Sequence, residues 1–385
     1  MRIILADVVP KDLPKPEAHK HFAELARLIE TLGGMSIVKI IQKRGRPSGK
    51  TYLGTGKAEE IGEISRELKA DAVVINDILK GNQIFELTRR IPVLILDRVD
   101  VILRIFYQHA TTLEAKLQIR RARLEYDIPK IYGRAATTLF EREKGGIGVD
   151  RGAGETGIEI EKRHIRRQIK KIDEKIEKLK KNRRNQRQNR SRNNFRTVAL
   201  VGYTNGGKST LLRALTGKKG YADDKLFTTL DPRIGQVFLP ESKNKVLISD
   251  TIGFIENLPP MLIAAFKATL EEVQEADLIL HVFDISDSVE EIERKKATVI
   301  KVLKSLKCDQ KSQILLANKI DLLSPEETRE ILDNKDFLVI SAQEKINFNA
   351  LKQEIEKGLS SLWLGLLFLL FLLFSVIEET MAEFV

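Results

Sequence analysis

The sequence has very little cysteine and histidine. Cys308 is the only cysteine among 385 residues, which excludes an internal disulfide and a metal site made of cysteines alone. The five histidines show no spacing typical of metal ligands, so we expect no structural zinc. Residues 1–3 enter a strand-like run at once, without the layout of a signal peptide. These features favour a cytoplasmic protein, which we expect to be monomeric.

Acidic residues are scarce in one long stretch. Between residues 162 and 196, sixteen lysines and arginines stand against only Asp173, Glu174 and Glu177, so the segment carries +13. The whole chain carries +11, and the remainder is therefore close to neutral at −2. Such a dense positive cluster suits a nucleic-acid phosphate backbone, although a solvated linker remains the alternative. The candidates for RNA contact in this stretch are Arg183, Arg184, Arg187 and Arg190.

Charge is absent from the stretch near the carboxyl end. Residues 358–377 contain no charged side chain, and residues 362–374 are almost entirely Leu, Phe, Trp and Gly. The length is borderline for crossing a bilayer, which takes about 20 residues. Three interpretations stay open: a buried terminal helix, a membrane-associated tail, or a degenerate end that replaces another domain.

A glycine-rich loop of well-defined spacing lies in the middle of the chain. Residues 202–209 read GxxxxGKS, directly after the apolar run 198–201 and before leucines at helical spacing. This is the strand–loop–helix context of a P-loop, whose backbone N–H groups cradle a triphosphate. We expect Lys208 to reach the outer phosphates and Ser209 to ligate Mg²⁺. The predicted nucleotide-binding residues here are Gly202, Tyr203, Thr204, Asn205, Gly206, Gly207, Lys208, Ser209 and Thr210.

A DxxG motif and a threonine pair predict the rest of the phosphate site. Asp250 and Gly253 follow the apolar run 246–249, and they would hold Mg²⁺ through water and sense the γ-phosphate. Thr229 is our choice for completing the magnesium shell, with Thr228 as the competitor and Phe227 beside them. We assign Mg²⁺-dependent conversion of GTP and water to GDP and phosphate, with Lys208, Thr229 and Gly253 as catalytic residues.

Two further motifs predict that the base is guanine. Residues 318–321 read NKxD, and the Asp321 carboxylate can accept from guanine N1–H and the 2-amino group. Asn318 can reach the N7 edge, while the stem of Lys319 can lie along the base. Ser341 and Ala342 follow the apolar run 337–340, which would place the Ala342 N–H at guanine O6.

The position after DxxG carries no group that can orient water. Ras-like enzymes often use Gln there, whereas this chain has Phe254, and a phenyl ring cannot hold water by hydrogen bonding. We therefore expect slow intrinsic hydrolysis that a partner, or another backbone group, completes.

The apolar periodicity predicts an α/β protein of several parts. Residues 1–104 form a small α/β domain, and residues 105–194 form an antiparallel helical hairpin with a glycine-rich tip at 145–157 and a mobile linker at 180–194. Residues 195–358 form the GTPase domain, a doubly wound, mostly parallel sheet with helices on both faces, and residues 359–385 form the apolar tail. The hairpin seam has isoleucines at heptad spacing, as in a coiled coil. Arg142, Lys144 and Arg151 lie at the tip and complete the candidates for RNA contact.

The motifs together resemble those of the HflX-type GTPases over about residues 1–358. GYTNGGKST at 202–210 and DTIGFI at 250–255 are similar to the family's nucleotide motifs. GGIG and GAGET at 145–156 resemble its hairpin loop, and DR at 97–98 with LEAKLQ at 113–118 resembles its helix. The resemblance implies an N-terminal α/β domain, a helical hairpin and a Ras-like GTPase domain.

The same resemblance implies a partner and a task. The partner is the large ribosomal subunit with its rRNA, and the task is GTP-controlled binding there, with splitting of idle or stalled ribosomes. It also implies ATP binding by the N-terminal domain, for which residues 54–57 are a weak candidate, since a tight turn explains them equally well. Ala153, Gly157, the residues after Pro232 and the apolar tail depart from the family pattern. The alternative function is a GTP-switched RNA-binding module, tethered to a membrane, in which hydrolysis is incidental.

Overall fold

The chain divides into two compact units. This computed structural model describes residues 1–14, 22–131, 151–192, 195–217, 227, 233–256, 259, 262, 266–332 and 336–360. The first unit comprises Met1–Asn182 with Lys225–Phe227 and Pro259–Ala265, and the second comprises Arg183–Asp224, Thr228–Leu258 and Phe266–Val385. The apolar tail, 361–385, lies outside the described residues.

The first unit contains a sheet of parallel strands. In its described part the strands are β1 (Arg2–Val9), β2 (Met35–Lys43), β3 (Ala72–Ile75) and β4 (Leu94–Asp97), in the spatial order β2-β1-β3-β4. Each neighbouring pair runs parallel. The sequence has apolar runs at 3–9, 72–75 and 93–96, which predict buried strands, and each run overlaps one of these strands. The sequence prediction missed β2, because Lys39 and Gln42 interrupt its apolar pattern.

Helices connect the strands of this sheet. They are α1 (Ala23–Thr31), α2 (Thr55–Glu67) and α3 (Gly81–Thr88), and a further helix, α4 (Arg98–His109), follows the last strand. Apolar side chains of α2 and α3 pack with β1 and β3 in one buried cluster that includes Ile61, Leu87, Ile4 and Val73. The predicted boundary at residue 104 falls inside α4, because its apolar face continues through the fully buried Ile105 and Phe106.

Two further helices cover the predicted hairpin. They are α5 (Leu113–Asp127), followed by the 3₁₀ turn Ile128–Lys130, and α6 (Arg151–Arg192). Arg121 on α5 pairs with Asp173 on α6, with 2.5 Å between Nε and Oδ1. Part of the predicted tip, 145–150, lies outside the described residues, together with Arg142 and Lys144. The antiparallel coiled coil remains a prediction.

The described part of helix α6, Arg151–Arg192, overlaps two segments that were predicted to be non-helical. It includes residues 151–157 of the predicted glycine-rich loop and most of the predicted mobile linker. Lysine, arginine and glutamine have good intrinsic helix propensity, so a polar, repetitive composition does not by itself end a helix. The positions of Arg183, Arg184, Arg187 and Arg190 are thus helical.

The second unit contains the larger sheet. Its described strands are β5 (Arg196–Val201), β6 (Arg233–Phe238), β7 (Lys245–Asp250), β8 (Leu278–Asp284), β9 (Gln313–Asn318) and β10 (Leu338–Val339). Their order is β10-β9-β8-β5-β7-β6, and only β6 runs antiparallel to its neighbour. The prediction of a mostly parallel α/β sheet is confirmed. Each strand overlaps one of the apolar runs that predict strands in this part of the sequence: 198–201, 236–239, 246–249, 278–283, 314–317 and 338–340.

The helices of this unit are α7 (Lys208–Thr216), α8 (Lys267–Glu275), α9 (Val289–Ser305), α10 (Pro325–Leu332) and α11 (348–360). Apolar residues of α7 and α11 pack with the central strands around fully buried Leu200, Leu280 and Leu351. Because parallel strands end at one edge of a sheet, β5, β7, β8 and β9 bring the motifs that follow them to that edge. Across the described ranges, no helix combines the length and apolar character that crossing a membrane requires.

Candidate nucleotide site

The P-loop joins β5 to α7 and folds tightly around the lysine side chain. Lys208 is almost fully buried, and its Nζ atom donates to the backbone oxygen of Tyr203 over 2.7 Å. Burial lowers the pKa of Lys208 to about 8, against the opposing effect of the Asp250 carboxylate. An anionic phosphate beside this amine would favour its charged form. A bound nucleotide would therefore add negative charge beside Lys208, on top of that of Asp250.

Ser209 and Asp250 form the candidate magnesium site. Ser209 Oγ donates to Asp250 Oδ2 over 2.6 Å, and Asp250 is fully buried at the end of β7. Hydroxyl and carboxylate oxygens, together with phosphate oxygens, are the hard ligands that Mg²⁺ prefers. The residues present thus fit the ion. Thr228 and Thr229, predicted for the same shell, lie outside the described residues.

The DxxG segment lies directly against the P-loop. The Phe254 N–H donates to Gly202 O over 3.1 Å, and the Thr204 N–H donates to Phe254 O over 2.8 Å. A Cβ atom at Gly253 would lie 2.7 Å from Thr204 Cγ2 and 3.1 Å from Lys208 Nζ, so only glycine fits there. The predicted role of the Gly253 N–H in sensing the γ-phosphate remains a prediction. The paired backbones were not predicted from the sequence.

The ring of Phe254 is fully buried. Beside it, the Glu256 N–H donates to the Tyr203 hydroxyl over 2.9 Å, and the Glu256 carboxylate pairs with Arg294 on α9 at 2.5 Å. The segment after DxxG is therefore anchored on both the P-loop and α9, and it carries an apolar side chain at the position where a water-orienting group is often found.

The base-binding motifs are bonded to the P-loop and to each other. Asn318 Nδ2 donates to Gly206 O over 2.9 Å, and the Ala342 N–H donates to Asn318 Oδ1 over 2.9 Å. The ends of β9 and β10 bring Asn318 and Ala342 together, whereas their predicted contacts are with guanine N7 and O6. Those contacts with guanine remain predictions.

Asp321 and Ser341 complete the predicted base site. Asp321 is exposed in the 3₁₀ turn Ile320–Leu322, where its carboxylate is open to a ligand. Ser341 is fully buried, and its Oγ atom accepts from the Glu344 N–H over 3.0 Å. The hydroxyl thus shapes the loop after β10.

Lys319 pairs with a residue that the sequence interpretation missed. Its Nζ atom lies 2.6 Å from Oδ2 of Asp284, at the end of β8. No motif marked Asp284 in advance; only the register of β8 against β9 reveals it.

Phe227 has an apolar partner in the first unit. It is buried, and its ring packs edge-to-face on Phe106 of α4 with 4.6 Å between centroids. The sequence prediction placed Phe227 among nucleotide-binding residues, and the described contact is with Phe106. Asn205 and Thr210 occupy the predicted P-loop and the first turn of α7.

Comparisons with known proteins find matches along most of the chain. Residues 19–107, 109–190 and 197–319 match family models described as GTP-binding GTPase N-terminal, GTP-binding GTPase Middle Region and 50S ribosome-binding GTPase. The chain is 43% identical over 350 residues to GTPase HflX of Caldanaerobacter subterraneus, covering 90% of this chain and 79% of that protein. GTPase HflX of Alkalihalophilus pseudofirmus is 40% identical, with coverage of 90% and 80%.

A solved structure shares the fold. The crystal structure of SsGBP in complex with GDP aligns with a TM-score of 0.51 at 23% identity, covering 94% of this chain and 99% of that one. Three findings indicate the same family. They are the order of the nucleotide motifs, the three consecutive family matches and the sequence identity to HflX proteins. The chain belongs to the HflX family of GTPases and is a GTP-hydrolysing enzyme.

Proposed function

We propose that this GTPase binds the large ribosomal subunit in the cytoplasm and that GTP hydrolysis controls the interaction, in the splitting or rescue of ribosomes. Support comes from the match of residues 197–319 to a family described as a 50S ribosome-binding GTPase. The similarity to HflX proteins over about nine tenths of the chain also supports it.

One observation of the site carries the proposal. The P-loop, DxxG and NKxD segments are bonded to one another, and the position after DxxG holds the fully buried Phe254. Catalysis of phosphoryl transfer consists mainly of positioning and charge stabilisation, so an enzyme with no water-orienting side chain at this position should turn over slowly alone. A ribosomal partner that completes the site would couple hydrolysis to binding.

We infer that Mg²⁺ is the cofactor. Ser209 and Asp250 would hold it, the latter through water, and Thr229 would complete the shell. The ion supplies positive charge against the developing charge of the γ-phosphate. Lys208 contributes a second cation from the P-loop.

The basic helix α6 is the proposed contact with rRNA. The test replaces four arginines with Gln: Arg183, Arg184, Arg187 and Arg190. The plot of log affinity against log salt concentration should become less steep, by the amount expected for the loss of up to about four phosphate contacts. The loss should be similar across RNA sequences, because phosphate contacts carry no sequence information. A control neutralises three other exposed lysines: Lys301 and Lys304 of α9, and Lys307 in the turn that follows it. An unaltered slope in the arginine variant would identify the segment as a solvated surface.

The glycine-rich tip is the proposed sensor of the subunit. Replacing residues 145–157 with a short neutral turn should leave folding and GTP binding intact and abolish subunit-stimulated hydrolysis and ribosome splitting. Glycine backbones permit close approach to phosphates and bases, and Arg142, Lys144 and Arg151 supply local positive charge. Parental stimulation and splitting after the replacement would mean that the loop is only a connection.

The second candidate is a GTP-switched RNA-binding module in which hydrolysis is incidental. The charge of +13 between residues 162 and 196 favours it, since RNA binding alone would use such a segment. Co-sedimentation with subunits in GDP and in a non-hydrolysable GTP analogue separates the two. Nucleotide-controlled binding to large subunits supports the ribosomal function, whereas binding to any RNA supports the module.

A further inference from the structure

Asp284, the last residue of β8, lies beside the base-binding motif. Its register partner on the parallel strand β9 is Asn318, so the next residue, Lys319, comes within reach of the carboxylate. Asp284 Oδ2 and Lys319 Nζ are 2.6 Å apart, and only 14% and 23% of the two side chains are exposed. The pair is thus partly shielded from water. A charge-assisted bond in such a position is stronger than one at an open surface.

The carboxylate is itself held in place. Its other oxygen, Oδ1, accepts from the Ser286 N–H over 3.1 Å and from the Ser286 hydroxyl over 2.6 Å. One oxygen of Asp284 therefore fixes the turn after β8, and the other is directed at Lys319. This arrangement leaves the carboxylate little freedom to rotate away.

The backbone of Lys319 is fixed as well. Its φ of 73° lies in the left-handed region, which residues other than glycine seldom adopt. The neighbouring Asn318 O accepts from the Ile285 N–H over 3.0 Å, which joins the ends of β8 and β9. With the backbone held at one end and the ammonium group at the other, the four-carbon stem has fewer conformations open to it.

We infer that Asp284 is a positioning residue for guanine-nucleotide binding. By holding the Lys319 ammonium group, it aligns the methylene stem as a flat apolar surface for one face of the base. Asp284 acts through Lys319 and does not touch the nucleotide. The inference concerns the nucleotide site alone and does not depend on the ribosomal function.

The test is Asp284→Asn, which keeps the shape of the side chain and removes its charge. Affinity for GDP should fall about tenfold, the range expected for a hydrogen bond to a charged group. The loss should appear as faster GDP dissociation and a higher KM for GTP, with kcat little changed. The inosine nucleotide should lose affinity by the same factor, because the stem contacts the face that both bases share.

A matched control lies at the other end of the same strand. Asp277 precedes β8, pairs with Arg196 at 3.0 Å and accepts from the Thr197 N–H and hydroxyl over 2.7 and 3.1 Å. Asp277→Asn therefore removes the charge of a carboxylate that has the same kinds of partner. Asp277 lies at the end of β8 that is away from the base-binding motif. It should leave GDP affinity within twofold of the parent. An equal loss in both variants would reduce Asp284 to a structural role.

A double-mutant cycle tests whether Asp284 acts through Lys319. In a Lys319→Met background, which retains an unbranched stem without charge, Asp284→Asn should have no further effect on GDP dissociation. Asp284→Glu, which keeps the charge, should recover most of the affinity lost in the Asn variant, even if the latter is less stable. Additive losses in the cycle, or parental affinity in Asp284→Asn, would overturn the inference.

Discussion

The side chain of Asn318 is bonded to the backbone of Gly206: its Nδ2 atom donates to the carbonyl oxygen over 2.9 Å. The residue that opens the base-binding motif thus supports the loop that surrounds the phosphates. Ala342 is bonded to the other end of the same amide. Base recognition and phosphate binding therefore share one hydrogen-bonded framework.

This framework makes Gly207 sensitive to substitution. Its φ is 89°, and an added Cβ would lie 2.1 Å from Asn318 Nδ2. We expect Gly207→Ala to weaken GDP binding at least tenfold, because the P-loop must shift or lose its bond to Asn318. Titration with a fluorescent guanine nucleotide measures the effect. In Gly217→Ala, the matched control, φ is 66° but the added Cβ meets nothing within 4 Å, so stability falls and affinity stays.

Asp321 should determine which base is bound. Its exposed carboxylate matches the two adjacent donors of guanine, and a hydrogen bond to a charged group contributes about 1.5–3 kcal/mol. Asp321→Asn should lose about ten- to a hundredfold in GDP affinity and gain affinity for the xanthine nucleotide. Competition between the two nucleotides measures the switch. Unchanged GDP affinity, with no gain for xanthosine diphosphate, would reject the assignment.

Whether a residue of this site could be predicted from the sequence depends on how far along the chain its partners lie. The P-loop, DxxG and NKxD motifs were identified because their chemistry fixes residue types at short spacing. Asp284 was missed because its contact with Lys319 arises from the pairing of two strands 35 positions apart. Strand β2 was missed for a different reason: a half-buried edge strand carries Lys39 and Gln42, which break the apolar pattern.

Lys130 should be far more important for stability than its place at the end of a helix suggests. It is 2% exposed and pairs with the fully buried Asp97, with 2.8 Å between Nζ and Oδ2. Removing one partner of such a pair leaves a buried charge and costs about 3–5 kcal/mol. Hydrogen exchange of the α4 amides in Lys130→Ala, in the full chain, measures the loss.

The control for that experiment is Lys57→Ala. Lys57 pairs with Glu60 at 2.6 Å, but 26% and 49% of the side chains are exposed, so solvent screens the pair. Its loss should cost about 1 kcal/mol or less. If both substitutions lowered the free energy of unfolding by the same amount, the buried pair would not have the larger contribution to stability that we assign to it.

His281 should make the second unit sensitive to acid. Burial lowers the pKa of this histidine to about 4, and the positive charges of Lys296 and Lys208 act in the same direction. The unfolded chain therefore binds the proton first, and stability is fully present above about pH 6.5 and falls as the pH drops towards 4. The loss in the free energy of unfolding approaches about 3 kcal/mol as the pH nears 4.

The check is denaturation of nucleotide-free protein at pH 7 and at pH 5. His281→Leu should reduce the difference between the two, whereas His164→Leu, at an exposed position of α6, should leave it unchanged. A difference that persists in full in His281→Leu would assign the acid sensitivity to other groups.

The central claim of the proposed function is that this GTPase, which has Phe254 at the position after DxxG, is completed for catalysis by the large ribosomal subunit. The most direct measurement is the single-turnover rate of GTP hydrolysis by the full chain, alone and with saturating purified large subunits, with small subunits as the control. We predict slow turnover alone and with small subunits, and an increase of about a hundredfold or more with large subunits, the size that one added, well-positioned catalytic group contributes. The same rate in all three conditions, in protein that binds GTP normally, would contradict the account.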